Sequence, residues 1–154
     1  MLIGFPQLLD KVNEHIDRLD YAREPMNLYE PVKYILALGG KRIRPVMMLM
    51  AYNMYRDDVD KILDPALALE IYHNFTLLHD DIMDNAPIRR GKPSVFRKWN
   101  QNIAILSGDA MIVYAYRLLE KAPTALLPRI FEVFNSTAMK VFEGQQYDMD
   151  FESR

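Results

Sequence analysis

Hydrophobic residues recur at helical spacing along nearly the whole chain, and proline or glycine stands at most interruptions. That pattern leaves room for little but an all-α fold. Leu8, Leu9, Val12, Ile16 and Leu19 mark a first helix, which Pro25 ends. Pro31 is expected in the first turn of a short helix that Gly39-Gly40 stops, and Pro45 is expected to open a methionine-rich helix over Val46 to Tyr55. Asp64-Pro65 reads as the N-cap and first residue of a long helix through Asp84. Asn85 to Pro93 is a loop by composition, and Ser94 caps a short helix through Trp99. Two more helices are expected, from Gly108 to Lys121 and from Pro128 to Asp150. No segment alternates as a strand does, and no repeat is present. The expected architecture is one domain over residues 1–154, an antiparallel helical bundle around a central cleft.

The net charge of −2 gives no bulk attraction to nucleic acid or to an anionic membrane, so any anion site must come from local clusters. With no cysteine, disulfides and thiolate metal sites are excluded, and a reducing compartment fits. Met1 to Pro6 lacks the basic and long apolar regions of a signal peptide, and no apolar stretch approaches the roughly 20 residues that span a bilayer. A cytoplasmic protein without a stable membrane anchor is expected.

Asp80-Asp81-Ile82-Met83-Asp84 carries the strongest chemical signal. Four residues apart on a helix, Asp80 and Asp84 share a face with Cβ atoms about 5–6 Å apart. Near a helix C-terminus the dipole also disfavours anions. In a lined cleft their repulsion reaches roughly 2–3 kcal/mol at an effective dielectric near 20. A bound cation relieves it, and Mg²⁺ characteristically takes one or two carboxylates plus phosphate oxygens. Arg89 and Arg90 follow within six residues of Asp84.

A second cluster is Gly39-Gly40-Lys41-Arg42-Ile43-Arg44-Pro45, three cations on a glycine turn before a helix N-terminus. Free backbone N–H groups and guanidinium forks there suit an anion; the plainer alternative is a solvated basic turn. His73 lies about two turns before Asp80, near the carboxylate face, although a lone histidine on an apolar helix is more often structural. His79 reads as structural. Tyr72, Phe75 and Thr76 continue the carboxylate stripe toward the helix start; such a stripe is core or, beneath a metal–phosphate mouth, the floor of a cleft for a hydrocarbon tail. Gln145 and Asp148 share a helix face near the C-terminus, where a solvated polar face is the plain reading.

Gly39 to Pro45, His73 to Asp84, Arg89-Arg90-Gly91-Lys92-Pro93, Ser107-Gly108-Asp109-Ala110 and Gly144 to Asp148, taken in order, resemble the front half of a trans-isoprenyl diphosphate synthase of the polyprenyl synthetase family. The resemblance implies an isoprenoid synthase helical fold and head-to-tail condensation of an allylic diphosphate with isopentenyl diphosphate. It implies Mg²⁺ on Asp80 and Asp84, Arg89 on the allylic phosphates, Asp81 as a supporting carboxylate, and Lys41, Arg44, His73 and Arg90 on isopentenyl diphosphate. Gln145 would lie near the reacting groups. Tyr72, Phe75 and Thr76 would limit tail length, giving a product of the farnesyl or geranylgeranyl class. Family members commonly form homodimers.

Such synthases carry a second aspartate-rich motif and a lysine motif in their back half, and neither is present in these 154 residues. The chain therefore reads as a fragment with little or no turnover alone. Three other readings remain: a non-catalytic subunit of a heteromeric prenyl synthase, which intact aspartates disfavour; a terpene cyclase, which the Lys41–Arg44 turn disfavours; and a helical scaffold whose charges are merely solvated.

Overall fold

The computed structural model describes residues 2–21 and 23–152. Seven α-helices follow one another: α1 (Phe5–Asp17), α2 (Met26–Ala37), α3 (Ile43–Asn53), α4 (Leu63–Met83), α5 (Val95–Lys98), α6 (Gln101–Leu119) and α7 (Leu127–Glu152). Between α4 and α5, β1 (Ile88–Arg89) and β2 (Lys92–Pro93) form a small antiparallel hairpin. The all-α expectation holds. No described helix is long and apolar enough to cross a membrane.

The helix α4 is the hub. It packs against α1, α2, α3, α5 and α6, and Tyr72 adds ring contacts to Phe134 and Phe142 of α7. Apolar side chains converge on it from every side: Leu8 and Val12, Ile35 and Leu36, Val46 and Leu49. Each such residue contributes about 1.5–3 kcal/mol when fully buried. The tightest packing is against α6, where Ala104, Gly108, Met111 and Ala115 are buried. Small residues there let the two backbones approach closely.

Local departures from the sequence reading have identifiable causes. The 88–93 segment, expected as plain loop, is pinned as a hairpin when the Tyr34 hydroxyl donates to the Pro93 carbonyl at 2.8 Å. Pro31 lies inside α2, which starts five residues earlier at Met26, and Pro45 lies in the first turn of a helix that starts at Ile43. Asp64 is not an N-cap, because a 3₁₀ turn over Val59–Ile62 runs directly into α4. Its carboxylate instead bonds His15 of α1 at 2.7 Å and Lys121 at 3.0 Å, partners far away in sequence. Asn100, not Gly108, begins α6, its side chain accepting from the Ile103 N–H at 2.9 Å.

Gly108 is mid-helix for a reason of space. The His79 ring, bonded to the Ile105 carbonyl at 3.2 Å, occupies the volume a side chain would take. A Cβ on Gly108 would stand 2.2 Å from His79 Nε2. The structural reading of His79 fits this packing. Alanine at a helix interior gains about 1 kcal/mol over glycine in propensity, but forcing a methyl into a filled contact costs about 1–3 kcal/mol. Gly108→Ala is therefore expected to destabilise the wild-type chain, and to become neutral or stabilising in a His79→Ala background. Urea unfolding of the four proteins in that cycle checks the sign change; equal effects in both backgrounds would contradict the packing account.

Candidate active site

The stripe Pro65, Leu69, Tyr72, His73 and Thr76 of α4 lines one wall of a cavity of about 530 Å³. Across from it stand Arg44 and Met48 of α3, Leu119 of α6, and a stripe of α7 that includes Ile130, Phe134 and Val141. The α4 stripe continues by helical steps of four to Asp80 and Asp84, so the carboxylates stand beyond its last wall residue. Asp84 is the C-cap of α4, its N–H donating to the Asp80 carbonyl at 2.8 Å, so the pair keeps helical geometry.

The electrostatics at the C-terminal end of α4 divide the three aspartates there. Asp81 is 1 % exposed and points inward. Its Oδ1 accepts from Arg89 Nε at 3.0 Å and Nη2 at 2.5 Å, while Oδ2 is buried without a hydrogen-bond partner. That pairing raises the Arg89 pKa further and leaves Nη1 outside the bond to Asp81. Asp80 is half-buried. Burial, then the charge of Asp84, pushes its carboxyl above the usual range, with Arg89 opposing. This carboxylate lacks the compensation that Asp81 has.

Among the described residues no three His, Asp or Glu side chains form a complete protein cage for a metal. A two-carboxylate site is what remains, and Mg²⁺ uses such sites when ligand oxygens and water complete its octahedron. Asp80 and Asp84 fit that donor set: burial first, and the Asp84 charge second, disfavour the Asp80 carboxylate, and a bound cation would favour it.

The basic turn and the hairpin meet one another. Arg90, at φ 52°, donates through Nη1 to the Gly39 carbonyl, and its guanidinium lies on Gly40. A Cβ on Gly40, whose φ is 151°, would come 3.0 Å from Arg90 Nη2. His73 is half-buried beside this cluster. Burial first, then the charges of Arg44 and Arg90, lowers its pKa, with Glu70 opposing. Its neutral form is thus favoured by these surroundings.

Of the anticipated residues, Arg44, Tyr72, His73 and Thr76 line the cavity. Lys41 is exposed on the turn beside it. Phe75 is 3 % exposed and stands behind the wall, its ring 5.5 Å from Tyr72 and 6.1 Å from Phe142. Gln145 is half-buried on α7, one turn past Val141. Arg42 departs most from the sequence picture of three phosphate-ready cations. It is 4 % exposed, bonded to Glu70 Oε1 at 2.7 Å and to the Leu36 carbonyl at 2.6 Å. Sequence reasoning missed Glu70 and its buried neighbour Asn74. A lone carboxylate within the apolar run Pro65 to Ile71 was the available signal, since such a group is rarely buried unless paired.

The polyprenyl synthetase family model matches residues 25–154. The chain is 40 % identical to a geranylgeranyl diphosphate synthase of Methanosarcina mazei over 93 % of its own length and 45 % of that relative's. It superposes on a crystal structure of a geranylgeranyl pyrophosphate synthase with a TM-score of 0.93 at 47 % identity, covering 99 % of this chain and 46 % of the other. For the geranylgeranyl pyrophosphate synthetase of the archaeon Geoglobus acetivorans the TM-score is 0.92 at 36 % identity, covering 97 % of this chain and 50 % of that one. The chain thus spans about half the length of the relatives it matches. With the glycine turn, the aspartate run and the arginine hairpin gathered around α4, and with that sequence match across most of its length, this chain belongs to the polyprenyl synthetase family.

Proposed function

We propose that this chain supplies the substrate-binding half of a Mg²⁺-dependent prenyltransferase that condenses an allylic diphosphate with isopentenyl diphosphate. The observation that carries this reading is the α4 stripe, which lines an apolar cavity of about 530 Å³ beside Arg44 and His73 and continues by helical steps to Asp80 and Asp84. Asp80 and Asp84 hold Mg²⁺, which when bound supplies positive charge to the diphosphate of the allylic substrate. Arg89, kept in register by Asp81, adds its guanidinium to the same leaving group. Lys41, Arg44, Arg90 and His73 bind the isopentenyl diphosphate. The allylic C–O bond ionises with its electrons passing to the diphosphate, the isopentenyl double bond attacks the cation, and the resulting cation loses a proton to the departed diphosphate. Gln145 faces the reacting groups from α7.

The hydrocarbon tail runs down the α4 stripe, where Tyr72 and Thr76 form the wall and Phe75 backs Tyr72. The apolar lining keeps water from the cation. Leu69 and Pro65 lie two to three turns below Thr76, so depth suits a product of the farnesyl or geranylgeranyl class. A cytoplasmic homodimer belongs to the same reading; Leu106 and Val113, two turns apart on α6 and both exposed, offer an apolar face for a second copy.

Calorimetric titration tests the two subsites. Geranyl diphosphate is expected to bind only with Mg²⁺, and Asp80→Asn with Asp84→Asn should weaken that binding at least tenfold, about 1.4 kcal/mol. Isopentenyl diphosphate should bind without metal and be little affected by the same pair. A chain that binds neither ligand is a helical scaffold, and the reading fails.

His73 gives the pH dependence a sign. Its lowered pKa favours the neutral ring among the protein's own groups, whereas a bound diphosphate favours imidazolium. Binding of isopentenyl diphosphate therefore takes up a proton, and affinity gains a favourable term as pH falls from about 8 toward the reference histidine value near 6.5. The difference between wild type and His73→Gln isolates that term from titration of the ligand itself. The ratio of their affinities is expected to grow as pH falls; a constant ratio would rule out protonation at His73.

A further inference from the structure

Beneath the basic turn lies a buried polar chain that touches none of the reacting groups. Arg42 divides its guanidinium between the Leu36 carbonyl near the end of α2, at 2.6 Å, and Glu70 Oε1 on α4, at 2.7 Å. Glu70 is 2 % exposed and Asn74 fully buried. Asn74 Nδ2 donates both to the Glu70 carbonyl at 2.8 Å and to Glu70 Oε1 at 2.9 Å, which fixes the carboxylate. Arg42 itself sits at φ 47°, a left-handed conformation at the N-cap of α3. Of the cations flanking this anchored position, Lys41 is exposed on the turn and Arg44 lines the cavity. Among the described residues no ion pair holds either of them.

We propose that Glu70 is a positioning residue for the isopentenyl diphosphate subsite: its buried pair with Arg42 holds the turn in the left-handed conformation that aims Lys41 and Arg44 at one diphosphate. The proposal rests on the reading of that subsite given above. Three features support a role in aim rather than in stability alone. The buried pair ties the turn to two helices, to α2 through the Leu36 carbonyl and to α4 through Glu70. The left-handed backbone of Arg42 is one that a side chain adopts only when its surroundings hold it there. The opposite side of the turn is fixed separately, by Arg90 on Gly39 and Gly40, so loss of Glu70 frees only the inner anchor. Held by the Leu36 carbonyl alone, Arg42 would carry an unneutralised charge and turn toward solvent or the bound anion, and the cations on either side would lose their shared direction.

The test uses Glu70→Gln and the double variant Arg42→Met/Glu70→Leu, with binding of isopentenyl diphosphate and of geranyl diphosphate plus Mg²⁺ measured on each, alongside the melting curve. An apolar pair of similar volume commonly replaces a buried ion pair without loss of fold, so the double variant separates aim from stability. Both variants are expected to bind isopentenyl diphosphate at least tenfold more weakly, while Mg²⁺-dependent binding of geranyl diphosphate changes less than twofold. A double variant that binds isopentenyl diphosphate as tightly as the unaltered chain overturns the proposal. Equal losses at both ligands, or loss of fold in both variants, assign the pair to stability alone and overturn it as well. Failure of the unaltered chain to bind isopentenyl diphosphate overturns the reading of the subsite itself, an outcome distinct from retained binding in the variants.

Discussion

Two carboxylates buried on one face of α4 govern how the rest of the chain assembles. Glu70 and Asp81 are eleven residues apart, close to three helical turns, and both are almost wholly enclosed. An unpaired charge at such a position costs about 3–5 kcal/mol once its partner is removed. Each has one arginine partner, and each arginine comes from a different loop: Arg42 from the turn after α2, and Arg89 from the hairpin after α4. The central helix therefore cannot pack without drawing both loops onto it. Most loops of a helical bundle are placed by chain length and chance contact; these two are placed by charge neutralisation.

The rotation between faces of α4 turns that assembly rule into a site. Glu70, Asn74 and Asp81 lie within about 40° of one another around the helix axis, and His73, Thr76, Asp80 and Asp84 occupy the neighbouring sector, at 100° per residue. A loop anchored to the first sector necessarily presents its next residues over the second. Arg42 is inward and Arg44 lines the cavity; Arg89 is tied to Asp81 and Arg90 reaches Gly39. Both Arg42 and Arg90 hold left-handed backbones, at φ 47° and 52°. Such conformations cost about 1–2 kcal/mol for a residue with a side chain, a strain that the anchoring hydrogen bonds offset. Gly39 and Gly40 supply two further positive φ values at the turn, 76° and 151°, and Gly40 leaves room for Arg90.

What could be read from the sequence follows from which interactions are local. Helical periodicity, the stop at Gly39-Gly40 and the four-residue spacing of Asp80 and Asp84 are properties of neighbouring residues, and they survive in the fold. Asp64 looked like an N-cap because Asp-Pro ordinarily is one, but His15 and Lys121, each about fifty residues away, claim its oxygens. Gly108 looked like a helix boundary because glycine commonly is one, yet it is the contact point for His79 on another helix. Arg42 looked like one of three equivalent cations because burial is invisible in a short motif. Each of these errors has the same origin: a polar or small residue was assigned a local role, whereas a distant partner determined it.

The charge arithmetic around α4 also explains how two diphosphates could be told apart in the proposed reaction. At the aspartate end, three carboxylates (Asp80, Asp81, Asp84) meet one adjacent guanidinium, Arg89, and one of the three is already spent on it. An anion approaching that end is repelled until a divalent cation intervenes, which in the proposed reaction would select a metal-bound diphosphate. At the turn end, Lys41, Arg42, Arg44 and Arg90 meet a single carboxylate, Glu70, and Arg42 alone is neutralised by it. A bare diphosphate is attracted there, and an added cation would find no free carboxylate to share. Selectivity then needs no recognition of the hydrocarbon at either head group. It follows from the sign of the local field, and the fold secures opposite signs on one helix by burying one carboxylate with each arginine loop.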